Sequence, residues 1–308
     1  EKIYNETFNT DVEPNYNGSH LTFPNLNNSI KLRVHQKNAI WRAVQDKNVL
    51  FDHQVGAGKT LVTICSIMEQ KRMGLVNKPL ITVPNHLIGQ WEKEFYKAYP
   101  NANLLVANKE DLEKNNREKF FGKIATNNYD AIIMTHSQFK LLPAPYEIVK
   151  EQINEDISIL ESMLDTQKEI AAKDGKSTRG FSIKATEEKI SSFKARLDNL
   201  LQENKKSKSI DFGDLGVDLL SVDEGQTYKN LLITTSMGDI SGLGNLKGSQ
   251  QAYDMYCKTR YLNEKNNKIA FLTGTPISNS ITELYTLQRY MQPKELSKKG
   301  ISSFDSWA

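Results

Sequence analysis

Gly56, Ala57, Gly58, Lys59 and Thr60 follow the apolar residues 49–51 and open an apolar-rich run from 61 to 70. Two glycines one residue apart let the backbone turn its N–H groups inward, the lysine brings a positive charge, and the threonine brings a hydroxyl. Placed after a strand and before a helix, they suit a phosphate cradle. Loop amides and the helix dipole hold the anion, the lysine reaches its outer oxygens, and the hydroxyl takes Mg²⁺. The match is to a relaxed pattern, because the strict one has glycine where this chain has His53, and an ordinary glycine-rich turn is the competing reading. A second cluster narrows the choice. The apolar residues 217–222 deliver Asp223 and Glu224 at the end of a strand, where a parallel sheet places its ligand chemistry. Consecutive side chains splay apart, so Asp223 can hold Mg²⁺ on β- and γ-phosphates while Glu224 orients and deprotonates an attacking water. A lone Asp-Glu would read as an exposed acidic turn. Behind a buried strand, and paired with Gly-Lys-Thr, it reads as the other half of a phosphate-transfer site.

Elements that could position these residues are visible in the apolar pattern. Residues 48–51, 79–83, 130–134, 217–222 and 268–272 are continuous apolar runs rich in β-branched residues, separated by helical patterns. That is the signature of a parallel sheet covered on both faces, so the predicted fold class is α/β, doubly wound. One region breaks the rhythm. Ile153, Ile157, Leu160 and Leu164, then Ile190, Phe193, Leu197 and Leu200, recur at helical spacing on either side of a turn-like stretch at 174–180. This predicts an antiparallel helical hairpin inserted at about 145–206, serving either as a structural spur or as a dock for DNA or another domain. Residues 242–248 are glycine-rich, but they follow no strand and miss the dinucleotide-binding spacing, so a mobile loop is expected there. Residues 1–29, rich in Asn and poor in aliphatics, predict an arm that lies on a surface or is partly ordered, with the folded body spanning 30–308.

Composition sets the outer bounds. With 308 residues, 38% hydrophobic and 25% charged, the chain can bury one large core or two modest ones. A net charge of +3 permits nucleic-acid binding without arguing for it. No run approaches the roughly 18 apolar residues of a membrane span, and the start lacks the basic and apolar regions of a signal peptide. A soluble, intracellular protein is expected. Cys65 and Cys257 sit in apolar or helical patterns and read as buried thiols, and five scattered histidines offer no zinc spacing. The chain has no initiator Met and stops at Ser306-Trp307-Ala308, which suggests a piece of something longer.

The residues also carry a resemblance. In order, Leu32-Arg33-Val34-His35-Gln36, the Gly-Ala-Gly-Lys-Thr loop, ITVPNHLIGQWEKEF at 81–95, Ile132-Ile133-Met134-Thr135-His136, Asp223-Glu224-Gly225-Gln226 and LTGTPISNSITEL at 272–284 are similar to the motifs of the first motor lobe of Swi/Snf-type ATPases in helicase superfamily 2. The likeness covers about residues 30–292 apart from the hairpin, and it looks more like Swi/Snf motors than DEAD-box helicases. The hairpin, KTRYLNEK at 258–265 and the closing residues 301–308 are similar to the large helicase and DNA-methylase polyproteins of bacteriophages and conjugative elements.

The resemblance implies a RecA-like P-loop lobe with ATP and Mg²⁺ as cofactors. It assigns Gln36 to the adenine edge, Gly56, Ala57, Gly58, Lys59 and Thr60 to the phosphates, Thr60 and Asp223 to the metal, and Glu224 to catalysis. Asn85, His86, Thr135 and His136 match positions near the nucleic-acid backbone, where hydroxyls, amides and loop N–H groups position phosphates without reading bases. For Asn85 and His86 the alternative is a strand-ending turn, and Trp91 and Phe95, four apart, read as core packing. Thr273 and Thr275 match the segment that couples nucleotide to nucleic acid. Gln226 stands where the family usually has His, and it can hydrogen-bond but not titrate, so hydrolysis can survive with altered coupling.

The implied function is the ATP-binding lobe of a motor that moves on double-stranded DNA. A second RecA-like lobe, absent from this chain, would supply an arginine finger worth roughly 10³–10⁵ in rate, so this lobe alone should hydrolyse feebly. Alternatives are a strand-separating helicase, a restriction-type motor subunit, or a nucleotide-gated DNA-binding scaffold whose hydrolysis has lapsed. A methylase or other DNA-modifying domain is a possible further partner, no membrane is involved, and the expected compartment is the cytoplasm of a bacterial or phage-infected cell.

Overall fold

The structure, a computed structural model, describes residues 14–174, 183–206, 210–235, 248–278 and 280–308. Helix α1 (Val34–Gln45) leads into β1 (Asn48–Asp52), and α2 (Lys59–Arg72) carries the chain to β2 (Pro79–Val83). After α3 (Ile88–Ala98) come β3 (Leu104–Val106), α4 (Arg117–Thr126), β4 (Ala131–Thr135) and the single turn α5 (His136–Phe139). The long helices α6 (Tyr146–Asp174) and α7 (Ile183–Lys206) precede β5 (Leu219–Val222). Then α8 (Gln250–Glu264) leads to β6 (Lys268–Thr273), and α9 (Thr282–Met291), α10 (Pro293–Lys298) and α11 (Phe304–Trp307) follow.

All strand pairings are parallel, and the six-stranded sheet has the order β1-β6-β5-β2-β4-β3. Because side chains alternate along a strand, each strand feeds two cores. Leu80, Ile132, Leu220 and Phe271 face the cluster that includes Phe120, Ala252 and Tyr290, while Ile81, Ile133, Leu219 and Leu272 face the one that includes Ile40, Ile64 and Phe95. Helices therefore cover both faces, as the unbroken apolar runs predicted. The chain leaves β1 for β2, works outward to the β3 edge, and returns to fill the gap with β5 and β6. This order sets the carboxyl ends of β1, β6 and β5 side by side, with Asp52 opposite Thr273 and Val222 opposite Phe271.

Two details differ from the apolar pattern. Strand β5 begins at Leu219 rather than 217, because the Asp218 carboxylate accepts the Asn77 and Lys78 N–H groups at 2.7 and 2.8 Å. Strand β3 was not legible, since it is a half-buried edge strand of three residues. The inserted hairpin is antiparallel, with Glu161 facing Lys194 at 2.8 Å and Glu187 facing Lys168 at 3.1 Å. Exposed pairs of this kind contribute little. Burial of Ile153 and Ile157 against Tyr253 and Cys257 of α8 holds the base, with Phe193 and Leu197 packed against them, helped by Arg260, which reaches Glu155 at 2.7 Å and Gln152 at 2.8 Å. The turn expected at 174–180 and the loop at 242–248 fall, except for Asp174 and Gly248, outside the described residues.

Residues 14–29 run over the body: Leu21 is buried in the second core, the Tyr16 hydroxyl donates to Asp46, and the Asn27 N–H donates to the Ala98 carbonyl at 2.8 Å. Residues 1–13 of the expected arm lie outside the described residues. Cys65 and Cys257 are both buried, and burial pushes each thiol up to about 12, which leaves them inert. Among the described residues, no helix is long and apolar enough to cross a membrane.

Candidate functional site

The loop between β1 and α2 bends as its composition requires. Gly56 and Gly58 have φ of 84° and 85°, a left-handed conformation that glycine adopts without steric penalty. At Gly58 glycine is needed twice, because a Cβ would also lie 2.5 Å from Gln36 Nε2. Gln36 is buried; its Oε1 accepts the Arg33 N–H at 2.9 Å and its Nε2 donates to the Ala57 carbonyl at 3.2 Å. Its amide therefore braces the loop instead of being displayed toward a base. Lys59 Nζ donates to the His53 carbonyl at 2.7 Å and lies 3.5 Å from that of Gln54. The ammonium thus rests on carbonyl oxygens that an anionic oxygen could replace. Among the described residues the Thr60 hydroxyl makes no hydrogen bond, and Gly274 closes the loop from β6, where a Cβ would come within 3.4 Å of Lys59 Nζ.

Across the sheet, the Asp223 N–H donates to the Thr82 carbonyl at 2.8 Å and so extends the ladder one residue past β5. The Asp223 carboxylate accepts the Trp91 indole N–H at 2.9 Å. Burial raises its pKa, opposed by the Trp91 hydrogen bond and by the Lys59 charge. Trp91 is buried in the core, as sequence reasoning had it, and its indole N–H in addition reaches the site. The signal was available, since a buried indole N–H nearly always finds an acceptor; Phe95 is core as expected. Glu224 follows at φ 51°, ψ 52°, a left-handed backbone unusual for a non-glycine residue and costing on the order of 1–3 kcal/mol. Gln226 Nε2 donates to Glu224 Oε2, while Gln226 Oε1 is buried without a partner. The residue that departs from the expected His therefore holds the second carboxylate.

The residues expected near nucleic acid separate into two pairs. Asn85 and His86 are exposed on a short turn after β2, with Asn85 Nδ2 donating to Ser137 Oγ at 2.9 Å. Thr135 and His136 are both buried, at 7% exposure, and are not presented to a ligand on the surface. The Thr135 hydroxyl caps α5 by accepting the Gln138 N–H, and His136 Nδ1 lies 2.9 Å from the Tyr228 hydroxyl. The physical reason is the register: Thr135 pairs with Val83 inside the sheet, and Tyr228 arrives over the turn that follows β5.

Burial lowers the His136 pKa from 6.5 to about 4, against the pull of the Asp223 carbonyl and the Glu224 charge. The unfolded chain then binds the extra proton first. Stability contributed by the neutral ring should be present above pH 6.5 and lost as pH falls toward about 4. Urea midpoints measured from pH 7 to 4 should fall more steeply for the native chain than for His136→Gln; identical slopes would contradict this.

At the end of β6, Thr273 is buried and its hydroxyl accepts the Thr275 N–H at 3.0 Å. A network not foreseen from sequence lies beside it. Lys229 donates to Ser278 Oγ at 2.8 Å and to Glu283 at 3.0 Å, and Glu283 accepts the Ser278 N–H at 2.6 Å. Burial alone would raise the Glu283 pKa, but the Ser278 and Lys229 hydrogen bonds outweigh it and hold the carboxylate below its usual range. The turn carrying Glu224 is in this way tied to the loop after β6.

The site thus combines a glycine-bent loop at a helix start after β1 with paired carboxylates after β5, the two parallel strands being separated by β6. The sequence matches the family model of a probable helicase domain over residues 41–308, and the chain belongs to that family. No curated protein matches it. Among solved structures it is similar to the SWI2/SNF2 ATPase core of Sulfolobus solfataricus in complex with dsDNA, at 17% identity over 92% of this chain and 40% of that one, with a TM-score of 0.45. It is also similar to the SWI2/SNF2 ATPase core domain of the same organism, at 14% identity over 90% of this chain and 37% of the other, with a TM-score of 0.46. The chain spans about two fifths of the length of these structures.

Proposed function

We propose that the chain is the ATP-binding lobe of a Swi/Snf-like superfamily 2 motor that couples hydrolysis to movement along double-stranded DNA. The observation that carries this is the convergence of three loops, after β1, β5 and β6, on one end of the sheet, where Gly274 of the β6 loop closes against Lys59. In this reading Gly56, Ala57, Gly58 and Lys59 hold the phosphates. Thr60 and Asp223 would hold Mg²⁺, with phosphate oxygens and water filling the rest of its shell. When bound, the ion would supply charge neutralisation to the phosphates. Glu224 orients the attacking water and takes its proton, and Gln36 keeps the loop in shape on the adenine side.

Asn85 and His86 remain as backbone contacts for DNA. Thr273 and Thr275, with the Lys229–Glu283–Ser278 network, couple the nucleotide to the DNA side. A second RecA-like lobe fits the open face, because Val34, Val55, Ile277 and Ile281, all on or beside the site loops, are exposed apolar side chains. A phage or mobile-element polyprotein carrying a methylase is the biological setting that the motifs resemble.

Lys59→Ala tests the loop. Calorimetry with Mg-ATP on this chain should show affinity weakened by about 10- to 100-fold, the loss of a charge-assisted phosphate contact; unchanged affinity would remove the assignment. DNA-stimulated turnover of the full-length protein, with triplex displacement rather than strand separation, tests the motor.

A further inference from the structure

We infer that Trp91 positions the Asp223 carboxylate for the metal and makes it one rigid unit with the turn of Asn85 and His86, so that nucleotide and DNA are coupled through this indole. The inference rests on the roles proposed for Asp223 and for that turn. The indole is 2% exposed and lies in the second core with Val83 and Phe95. Its N–H donates to Asp223 Oδ2 at 2.9 Å, and among the described residues no other side chain donates a hydrogen bond to this carboxylate.

A buried indole N–H needs an acceptor, and a backbone carbonyl would satisfy it. Here the acceptor is the carboxylate that the site needs in one orientation. A charge-assisted bond of this kind fixes the Asp223 rotamer, as the outer partners of metal-ligating carboxylates do, and it leaves the other oxygen to face a ligand. Without the N–H, Asp223 would keep its backbone anchor while its carboxylate could turn.

The same segment holds Asp223 a second time. The Asp223 N–H donates to the Thr82 carbonyl of β2 at 2.8 Å, whereas Trp91 stands one turn into α3. Between Thr82 and Trp91 lies the turn Asn85–Leu87, closed by the Leu87 N–H on the Pro84 carbonyl at 2.9 Å and braced by Asn85 Nδ2 on Ser137 Oγ at 2.9 Å. Asn85 and His86 are exposed on its outer side, while the chain at both of its ends is bonded to one acidic residue. A shift of the turn against a phosphate backbone therefore moves the Thr82 carbonyl, the indole or both, and each of them ends on Asp223. The coupling is reciprocal, so nucleotide and metal acting on the carboxylate change the affinity of the turn for DNA by the same factor.

The test uses the full-length protein in three forms: native, Trp91→Phe, and a variant carrying benzothienylalanine at position 91, whose sulfur replaces the indole N–H in a ring of the same shape. ATP affinity is measured by calorimetry in EDTA, with Mg²⁺, and with Mg²⁺ and saturating duplex DNA, with melting temperatures alongside. In EDTA the three proteins should agree within about twofold, because the phosphate loop is untouched. The gain in affinity that Mg²⁺ brings to the native protein should fall by about 10-fold or more in both variants. The effect of DNA on Mg-ATP affinity should shrink by at least about fivefold. A native Mg²⁺ gain in the benzothienyl variant overturns the inference, because the ring alone would then be what matters. So does a loss of equal size in EDTA and in Mg²⁺, the mark of a purely structural residue, and an undiminished DNA effect overturns the coupling. If Trp91→Phe fails to fold, the benzothienyl variant decides by the same readings. Native protein whose ATP affinity ignores Mg²⁺ would overturn the metal assignment of Asp223, and native Mg-ATP affinity that ignores DNA would overturn the role of the turn; the inference falls with either.

Discussion

Glu224→Gln should lower ATP turnover by roughly 10²–10⁴-fold while leaving Mg-ATP binding nearly intact, because it removes a base that acts in the transition state and spares the phosphate contacts. The structure adds a reason to expect clean separation of the two effects. Glu224 is held through its side chain by Gln226 alone among the described residues, whereas Asp223, one residue earlier, is fixed by Trp91 and by the strand ladder. An amide at 224 would still meet the Gln226 side chain, now through a neutral oxygen, so the turn keeps its shape. The expected signature is a protein that binds nucleotide in calorimetry and retains it without product formation in a single-turnover experiment. Lost binding in Glu224→Gln would make the residue structural. Native turnover would leave the chain without an identified base and favour a water oriented by Gln226 alone.

The residues that were legible are those whose chemistry is local. Gly58-Lys59-Thr60 and Asp223-Glu224 announce themselves because a phosphate loop and a strand-end carboxylate pair depend on a few consecutive positions. Strands β2 and β4 are buried at every position, so their apolar runs could not be mistaken for half-exposed strands. Interactions that join distant parts of the chain were not readable. Thr135-His136 looks from sequence like any polar pair leaving a strand, and only the arrival of Tyr228, 92 residues later, buries the imidazole. Trp91 reaches Asp223 across 132 residues, which no periodicity on α3 can show. Gln226 was visible as a departure from the family pattern, but its consequence depends on where its amide points. It points at Glu224, which makes the substitution part of the carboxylate's support and weakens the reading of a lapsed hydrolase.

Lys258→Ala should destabilise the chain by about 3–5 kcal/mol, although it touches none of the site residues. The Lys258 side chain is fully buried; its ammonium donates to Asp254 at 2.6 Å and to the Phe139 carbonyl at 3.0 Å, and it sits 4.0 Å from the centre of the Phe139 ring. Burial lowers the Lys258 pKa and raises that of Asp254, and each charge opposes the other's shift. Alanine would leave the partly buried Asp254 without its cation, the Phe139 carbonyl without its donor, and a void where four methylenes packed. The three terms act at one place and in one direction. Lys258→Met in combination with Asp254→Leu removes both charges and fills the space, and it should recover most of the loss, since replacing a buried pair by apolar groups is often neutral. Urea midpoints at constant m-value measure both variants; a loss below about 1 kcal/mol in Lys258→Ala would mean that water reaches Asp254. Phe139 ends the single helical turn that begins with His136, so this pair pins α8 to the element carrying the imidazole.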